Sequence, residues 1–346
     1  MDALTSRLPI LKQIPDTILR LSSQEVRQIF PEPCLIEIEG ASSETVFLSV
    51  LLHGNETTGF SVLQRLARWL RDHRLPRTLL IFVGNVHAAE AGLRHLTDQP
   101  DFNRIWNGGS TPEHALAQNV LAELRTRDLF AAIDIHNNTG RNPLYGCINS
   151  LAPQFLHLAS LFSPTLVYFR NPPSVISMAL SELCPAVTVE AGRPGEPAGI
   201  ERAFDLVHDT LHLSRFRTAG HDRELTVYRT VGRMEIEPGW RIGFSSSSDA
   251  PLRFPAEMDS WNFSPKQAGT HWASITRAGR PLRVLDEQRR DLTDQFFTYE
   301  NGALVLSRDA TPSMITLETA IIQDDCFGYL MEEIDLVSQH GIRADI

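Results

Sequence analysis

Residues 44–52 read ETVFLSVLL and residues 78–83 read TLLIFV, two nearly unbroken apolar runs of the kind that strands buried on both faces require. Between them Phe60, Leu63, Leu66, Ala67 and Leu70 recur at helical spacing behind Thr57 and Thr58, either of which can cap a first turn. A strand, helix, strand unit is predicted. The pattern returns with a helix over 112–128, its Leu116, Val120, Leu121 and Leu124 facing inward, and a strand over 129–135 (LFAAIDI). Short strands at 165–169 and 186–189 and an amphipathic helix over 198–213 complete the alternation, which predicts an α/β sheet layered by helices.

After residue 213 the texture changes to polar stretches and short alternating runs such as LTVYRTVGRMEI, with turns at Pro238-Gly239 and a serine cluster at 245–248. This places a boundary near residue 215, with a catalytic domain over 1–215 and a β-rich subdomain over 216–346. Further strands are expected at 303–307, 314–317 and around Gly328-Tyr329.

Composition removes whole classes of function. The 346 residues are 42% apolar and 21% charged, which suits a globular enzyme and excludes disorder. Lys plus Arg at 32 against Asp plus Glu at 42 gives 32 − 42 = −10, a charge that repels phosphate backbones and anionic lipid, so neither nucleic acid nor membrane is an expected partner. No apolar run approaches the ~20 residues that span a bilayer. The first thirty residues lack the apolar stretch of a secretory signal, and Cys34, Cys147, Cys184 and Cys326 show no CxxC spacing, so a cytoplasmic protein without a disulfide framework is expected. Nothing in the pattern indicates an oligomeric state.

The sharpest chemical signal is His53-Gly54-Asn55-Glu56, a histidine and a carboxylate three apart just past a predicted strand. Hydrolytic zinc sites take three protein ligands and keep a fourth position for water. His136, directly after LFAAIDI, supplies the third ligand at the carboxyl end of a second strand, where open α/β sheets collect their ligands. Glu190 ends the apolar stretch AVTV and is placed as a general base at a third strand end. Asn103 and Arg104 suit an anionic substrate group through forked hydrogen bonds, and Arg94 is a second cation able to polarise a carbonyl. Asp134 shares a face with His136 by strand alternation and either orients a ligand histidine or is a buried hydrogen-bond partner. No role is assigned to His73, His87, His114 or His221.

Taken in order, His53-Gly54-Asn55-Glu56, Asn103-Arg104, Asp134-Ile135-His136 and Glu190-Ala191-Gly192 resemble the motifs of the succinylglutamate desuccinylase and aspartoacylase family, which is related to zinc carboxypeptidases. The resemblance covers residues 45–215 in detail. It implies a zinc-carboxypeptidase-like mixed central sheet flanked by helices, with a carboxyl-terminal β-rich subdomain over the mouth of the site. It also implies one zinc held by His53, Glu56 and His136, with Glu190 shuttling the proton between zinc-activated water and a leaving nitrogen. Asn103 and Arg104 would grip a substrate carboxylate, and the substrate would be a small N-acyl amino acid or similar anionic amide.

Three positions depart from the family. The arginine usual ten places before the catalytic glutamate is Leu180 here, with Arg193 or Arg170 as candidate substitutes. The Arg-Tyr pair normally eight places before the arginine of the Asn-Arg motif is Arg94-His95, two places further out, and the tyrosine of the terminal region has no clear counterpart near Tyr299. Two alternatives therefore stand beside the acyl-amino-acid hydrolase: a metallocarboxypeptidase acting on a peptide-like substrate, and a non-catalytic metal- or ligand-binding protein. Manganese, cobalt or iron would bind the same ligand set as zinc.

Overall fold

The computed structural model describes residues 8–218, 224–324 and 326–336, so His221 lies outside the described residues. Contacts divide these residues into two units, one comprising those up to Asn137 together with Leu144–Leu225, the other Asn138–Pro143 and those from Thr226 onward.

The first unit alternates strand and helix. In chain order it runs β1 (Ile10–Leu11), β2 (Cys34–Ile38), β3 (Ser42–Val50), α1 (Thr58–Trp69), β4 (Arg77–Val83), α2 (Val86–Ala91), α3 (Pro112–Leu124), β5 (Leu129–His136), β6 (Tyr145–Ile148), α4 (Pro153–Ser160), β7 (Thr165–Tyr168), α5 (Ile176–Ser181), β8 (Ala186–Glu190) and α6 (Pro197–His212). The strands order as β1-β2-β4-β3-β5-β8-β6-β7. Pairing is parallel from β4 through β3 and β5 to β8, while β2 and β6 run antiparallel to β4 and β8, so the sheet is mixed as expected.

The apolar runs read from the sequence are the central strands. Every residue of β4 is buried, as are Val46, Phe47, Leu48 and Val50 of β3, because helices cover both faces. Burying such a side chain contributes roughly 1.5–3 kcal/mol, which is why these runs override any local preference. The expected helix over 112–128 stops at Leu124, where Thr126 turns its hydroxyl onto the Glu123 carbonyl and the chain enters β5.

Connectivity decides where a ligand can sit. From β3 the chain crosses through α1 to β4 on one side, then returns through α2 and α3 to β5 on the other side of β3. The carboxyl ends of β3 and β5 therefore flank a topological switch point, where adjacent connections diverge and leave a crevice.

The second unit is built on β9 (Thr226–Ile236), which pairs antiparallel with β13 (Leu282–Leu285) and β17 (Gly328–Ile334), the latter carrying β16 (Thr311–Ser313). A second sheet orders β10 (Ile242–Gly243), β11 (Leu252–Arg253), β12 (His271–Ile275), β15 (Ala303–Leu306) and β14 (Phe297–Glu300). Trp272, Phe296, Phe297 and Phe327 fill its own core. The strand expected at 314–317 does not form. Met314 takes φ 60, which ends the extended run, and the Ile315 backbone instead bonds both ways to the Asn262 side chain at 2.9 and 2.8 Å. Cys34, Cys147 and Cys184 are free thiols, and no described helix is long and apolar enough to cross a membrane.

Candidate metal centre

The loop leaving β3 is shaped by two backbone constraints. Leu51 adopts φ 57, a left-handed conformation costing a non-glycine residue on the order of 1 kcal/mol, held by the Asn85 N–H donating to the Leu51 carbonyl at 2.6 Å. Gly54 lies against α2 so closely that a Cβ there would sit 2.1 Å from the Ala88 carbonyl carbon, so no larger residue fits. Bent in this way, the loop turns His53 and Glu56 back over the strand ends, both buried.

His53, Glu56 and His136 come together at the switch point, each offering a ligand atom within 4.8 Å of the others. His53 Nδ1 stands 2.7 Å from Glu56 Oε1, and His136 Nδ1 stands 2.8 Å from Glu56 Oε2. The other nitrogen of each ring meets a carboxylate: His53 Nε2 with Asp101 Oδ1 at 2.9 Å, His136 Nε2 with Asp134 Oδ2 at 2.7 Å. An ionised carboxylate only accepts, so each Nε2 gives its hydrogen to the aspartate behind it, and each Nδ1 facing Glu56 either donates a hydrogen to that carboxylate or would give its lone pair to an ion held between them.

That arrangement tests whether a metal fits. A buried carboxylate between two imidazole nitrogens needs positive charge beside it, which hydrogens on Nδ1 or a divalent ion would supply. Two neutral nitrogens with one carboxylate oxygen form the three-ligand set of an open hydrolytic zinc site, and carboxylates behind both rings are the usual outer support for such ligands. The donor set therefore fits a divalent ion bound through both Nδ1 atoms and Glu56.

The buried groups of the centre compensate one another's charge. Burial alone would raise the Glu56 carboxyl, but His53 and His136 hold it well below the usual carboxylate range. Burial would lower His136, but Asp134 and Glu56 push it well above the ordinary imidazole range. Asp101, which burial would raise, is held low by His53 with Arg94 and Arg104. The Asn137 N–H donates to Glu56 Oε2 at 3.0 Å, and its side chain accepts from the Thr58 N–H at 3.1 Å and donates to the Thr58 hydroxyl and the Gly192 carbonyl. Asn137 thus fixes the ligand carboxylate and caps α1, a task expected of Thr57 or Thr58, neither of which caps α1 through its side chain.

Glu190, half-buried, ends β8 in register with His136 of β5 on one side and Tyr145 of β6 on the other. Residues paired in a ladder share a face, which puts Glu190 on the same side of the sheet as His136 and Asp134. Arg94 reaches the centre's edge, bonding Asp101 Oδ2 at 2.9 Å with its Nη1 3.6 Å from Glu56 Oε1. Asn103 is partly committed, its Oδ1 accepting from the Ile176 N–H at the start of α5 and its own N–H donating to Asp101. Arg104 donates to the Asn103 carbonyl and also bears on Asp101.

The position of the usual arginine is not part of this gathering. Leu180 is 1% exposed in the apolar core with Ile176, Cys184, Phe155 and Ala132. Arg193 and Arg170 are both exposed, and Arg193 lies three residues past Glu190. Tyr299 spends its hydroxyl on the Leu282 carbonyl at 2.7 Å. Sequence reasoning missed two supporting residues, Asp101 and Asn137; the signal was their place beside Asn103 and His136.

Comparison with known proteins points the same way. Residues 42–206 match the family model described as Succinylglutamate desuccinylase/Aspartoacylase catalytic domain. A succinylglutamate desuccinylase of Yersinia enterocolitica is 36% identical over 99 residues, which is 27% of this chain and only 29% of that relative's length. The fold is similar to the crystal structure of succinylglutamate desuccinylase from Chromobacterium violaceum (TM-score 0.60, 15% identity, 87% of this chain and 89% of that one). It is also similar to murine aminoacylase 3 (TM-score 0.55, 17% identity, 84% and 96%). Over residues 42–206, then, the chain is similar to the catalytic domain of the succinylglutamate desuccinylase/aspartoacylase family.

Proposed function

We propose that the protein is a zinc-dependent amidohydrolase that removes the acyl group from an N-acyl amino acid or a similar small anionic amide. The observation that carries this reading is the convergence of His53 Nδ1, Glu56 and His136 Nδ1 beside Glu190 at the sheet's switch point. A divalent ion held there supplies Lewis acidity, polarising a carbonyl oxygen and acidifying water. Asp101 and Asp134 hold the two imidazoles in the tautomer that leaves Nδ1 available. Glu190 accepts a proton from the attacking water and delivers it to the departing nitrogen, so one carboxylate serves as base and then as acid. Arg94, tied to Asp101 and near Glu56, puts its positive charge at the edge of the centre where oxyanion charge develops. Arg104, with Asn103, holds the substrate carboxylate.

Metal analysis and a single substitution test the reading. Protein purified without chelator should contain one equivalent of divalent metal in this centre. Glu190→Gln should retain the metal and lose hydrolysis by about 10²–10⁴-fold. Absence of stoichiometric metal, or undiminished turnover in Glu190→Gln, overturns it. Turnover of N-succinyl and N-acetyl amino acids against short peptides separates this activity from that of a carboxypeptidase.

A further inference from the structure

Beneath the candidate metal centre the sheet carries a second polar row. Ser49 of β3, Asp134 of β5, Thr188 of β8 and Cys147 of β6 are direct ladder partners, so their side chains leave one face of the sheet, two residues below the row of His136, Glu190 and Tyr145. The next row down, Phe47, Ala132 and Ala186, is apolar and buried. Ser49 and Asp134 are fully buried and Thr188 is nearly so. A polar group in such a place is costly unless it is bonded, so where its hydrogen bonds go decides what it does.

The bonds of Asp134 are one-sided. Its Oδ2 takes two donors, His136 Nε2 at 2.7 Å and the Thr188 hydroxyl at 3.2 Å. Among the described residues its Oδ1 has no partner, and neither has the Ser49 hydroxyl on the neighbouring strand. Asp101, behind the other imidazole, is held more firmly: the Asn103 N–H donates to the Oδ1 that faces His53, and Arg94 donates twice to Oδ2. Apart from the imidazole itself, the orientation of the Asp134 carboxylate therefore rests on one hydroxyl.

We propose that Thr188 is a positioning residue for the metal centre, its hydroxyl holding the Asp134 carboxylate so that His136 keeps Nε2 engaged and Nδ1 turned toward Glu56. This rests on the reading of His53, Glu56 and His136 as metal ligands. With the hydroxyl in place, two donors on one oxygen fix the plane of the carboxylate, and the carboxylate fixes the ring. The last torsion of an aspartate is broad and roughly two-fold, so without the hydroxyl the group can turn and bring its unheld Oδ1 to the ring. His136 then loses its fixed orientation. A threonine suits the task, because β-branching confines its side chain to few positions. Thr188 acts through Asp134 and makes no contact of its own with the ion.

Co²⁺ binding to the full chain, freed of metal with a chelator, reads the centre without any substrate. Affinity is measured by competition with a chelating dye in wild type, Thr188→Val, Thr188→Ala, Thr188→Ser and Ser49→Ala, each checked for folding by circular dichroism. Thr188→Val should weaken Co²⁺ binding by about tenfold, the low end for groups behind a metal-bound imidazole. Thr188→Ser should bind close to wild type, and Ser49→Ala should stay within about twofold of it, since its hydroxyl holds nothing. Thr188→Ala and Thr188→Ser differ by the hydroxyl alone, so that pair decides the matter if the valine variant does not fold. In an Asp134→Ala background Thr188→Val should add little, because the group it acts through is gone. Wild-type affinity in Thr188→Val or Thr188→Ala, a loss that Thr188→Ser shares, or a full further loss in Asp134→Ala overturns the proposal and leaves the metal reading standing. Failure of the wild-type chain to bind Co²⁺ overturns both.

Discussion

At the scale of single residues, the centre depends on what stands behind each ligand. As a proposed ligand, His53 would depend on Asp101, whose Oδ1 stands 2.9 Å from its Nε2 and so would leave Nδ1 to an ion beside Glu56. Asp101→Asn keeps the volume but removes the charge that fixes this tautomer and steadies Arg94. It should weaken metal affinity by 10–100-fold, about the range for carboxylates behind metal-bound imidazoles, as measured by competition with a chelating dye. The candidate ligands His53 and His136 were readable because each follows an apolar run that ends abruptly: Leu52 before His53, Ile135 before His136. Asp101 was not, because it lies 48 residues from its partner and only the folded loop brings the two together.

At the scale of elements, the long apolar strands and the periodic helices α1, α3 and α6 were legible, whereas β6, with four residues, and α5, with six, are too short to display a period. That shortness matters at Leu180. Counting back from Glu190 places it at the family's arginine, but α5 turns this position into the core against Ile176 and Cys184. Leu180→Arg should therefore not create a substrate anchor. It should bury an unpaired charge and cost about 3 kcal/mol or more in urea unfolding, with KM for anionic substrates left unimproved in whatever remains folded. A different charge ties the sheet edge. Glu37 of β2 pairs with Lys12 beyond β1 and with Arg127 before β5, and these partners hold its carboxyl below the ordinary range despite partial burial. A carboxyl whose folded pKa is depressed contributes stability above its unfolded pKa and loses it as pH falls through the folded one. Glu37→Gln should lower stability at neutral pH and flatten its fall below about pH 4.5, read from urea midpoints across pH 3–7.

At the scale of the whole molecule, a sheet that reverses direction around β3 leaves a crevice where two separated stretches of chain could share an ion beside a third that carries Glu190. His53 and Glu56 come from the end of β3, His136 from β5, and Glu190 from β8, so the ion would bind the folded chain and have no preformed site in the unfolded one. Such a ligand stabilises the native state by mass action, by about 4 kcal/mol when present at a thousand times its dissociation constant. Stripping the metal with a chelator should lower the Tm by on the order of 10 °C, and restoring zinc should recover it. The control lies within the same chain: in His53→Ala the chelator should leave the Tm nearly unchanged, because the ion has lost a strand-end ligand. Equal shifts in wild type and His53→Ala would mean that the stabilising metal binds elsewhere, and the crevice would then be only a buried cluster of acids and imidazoles.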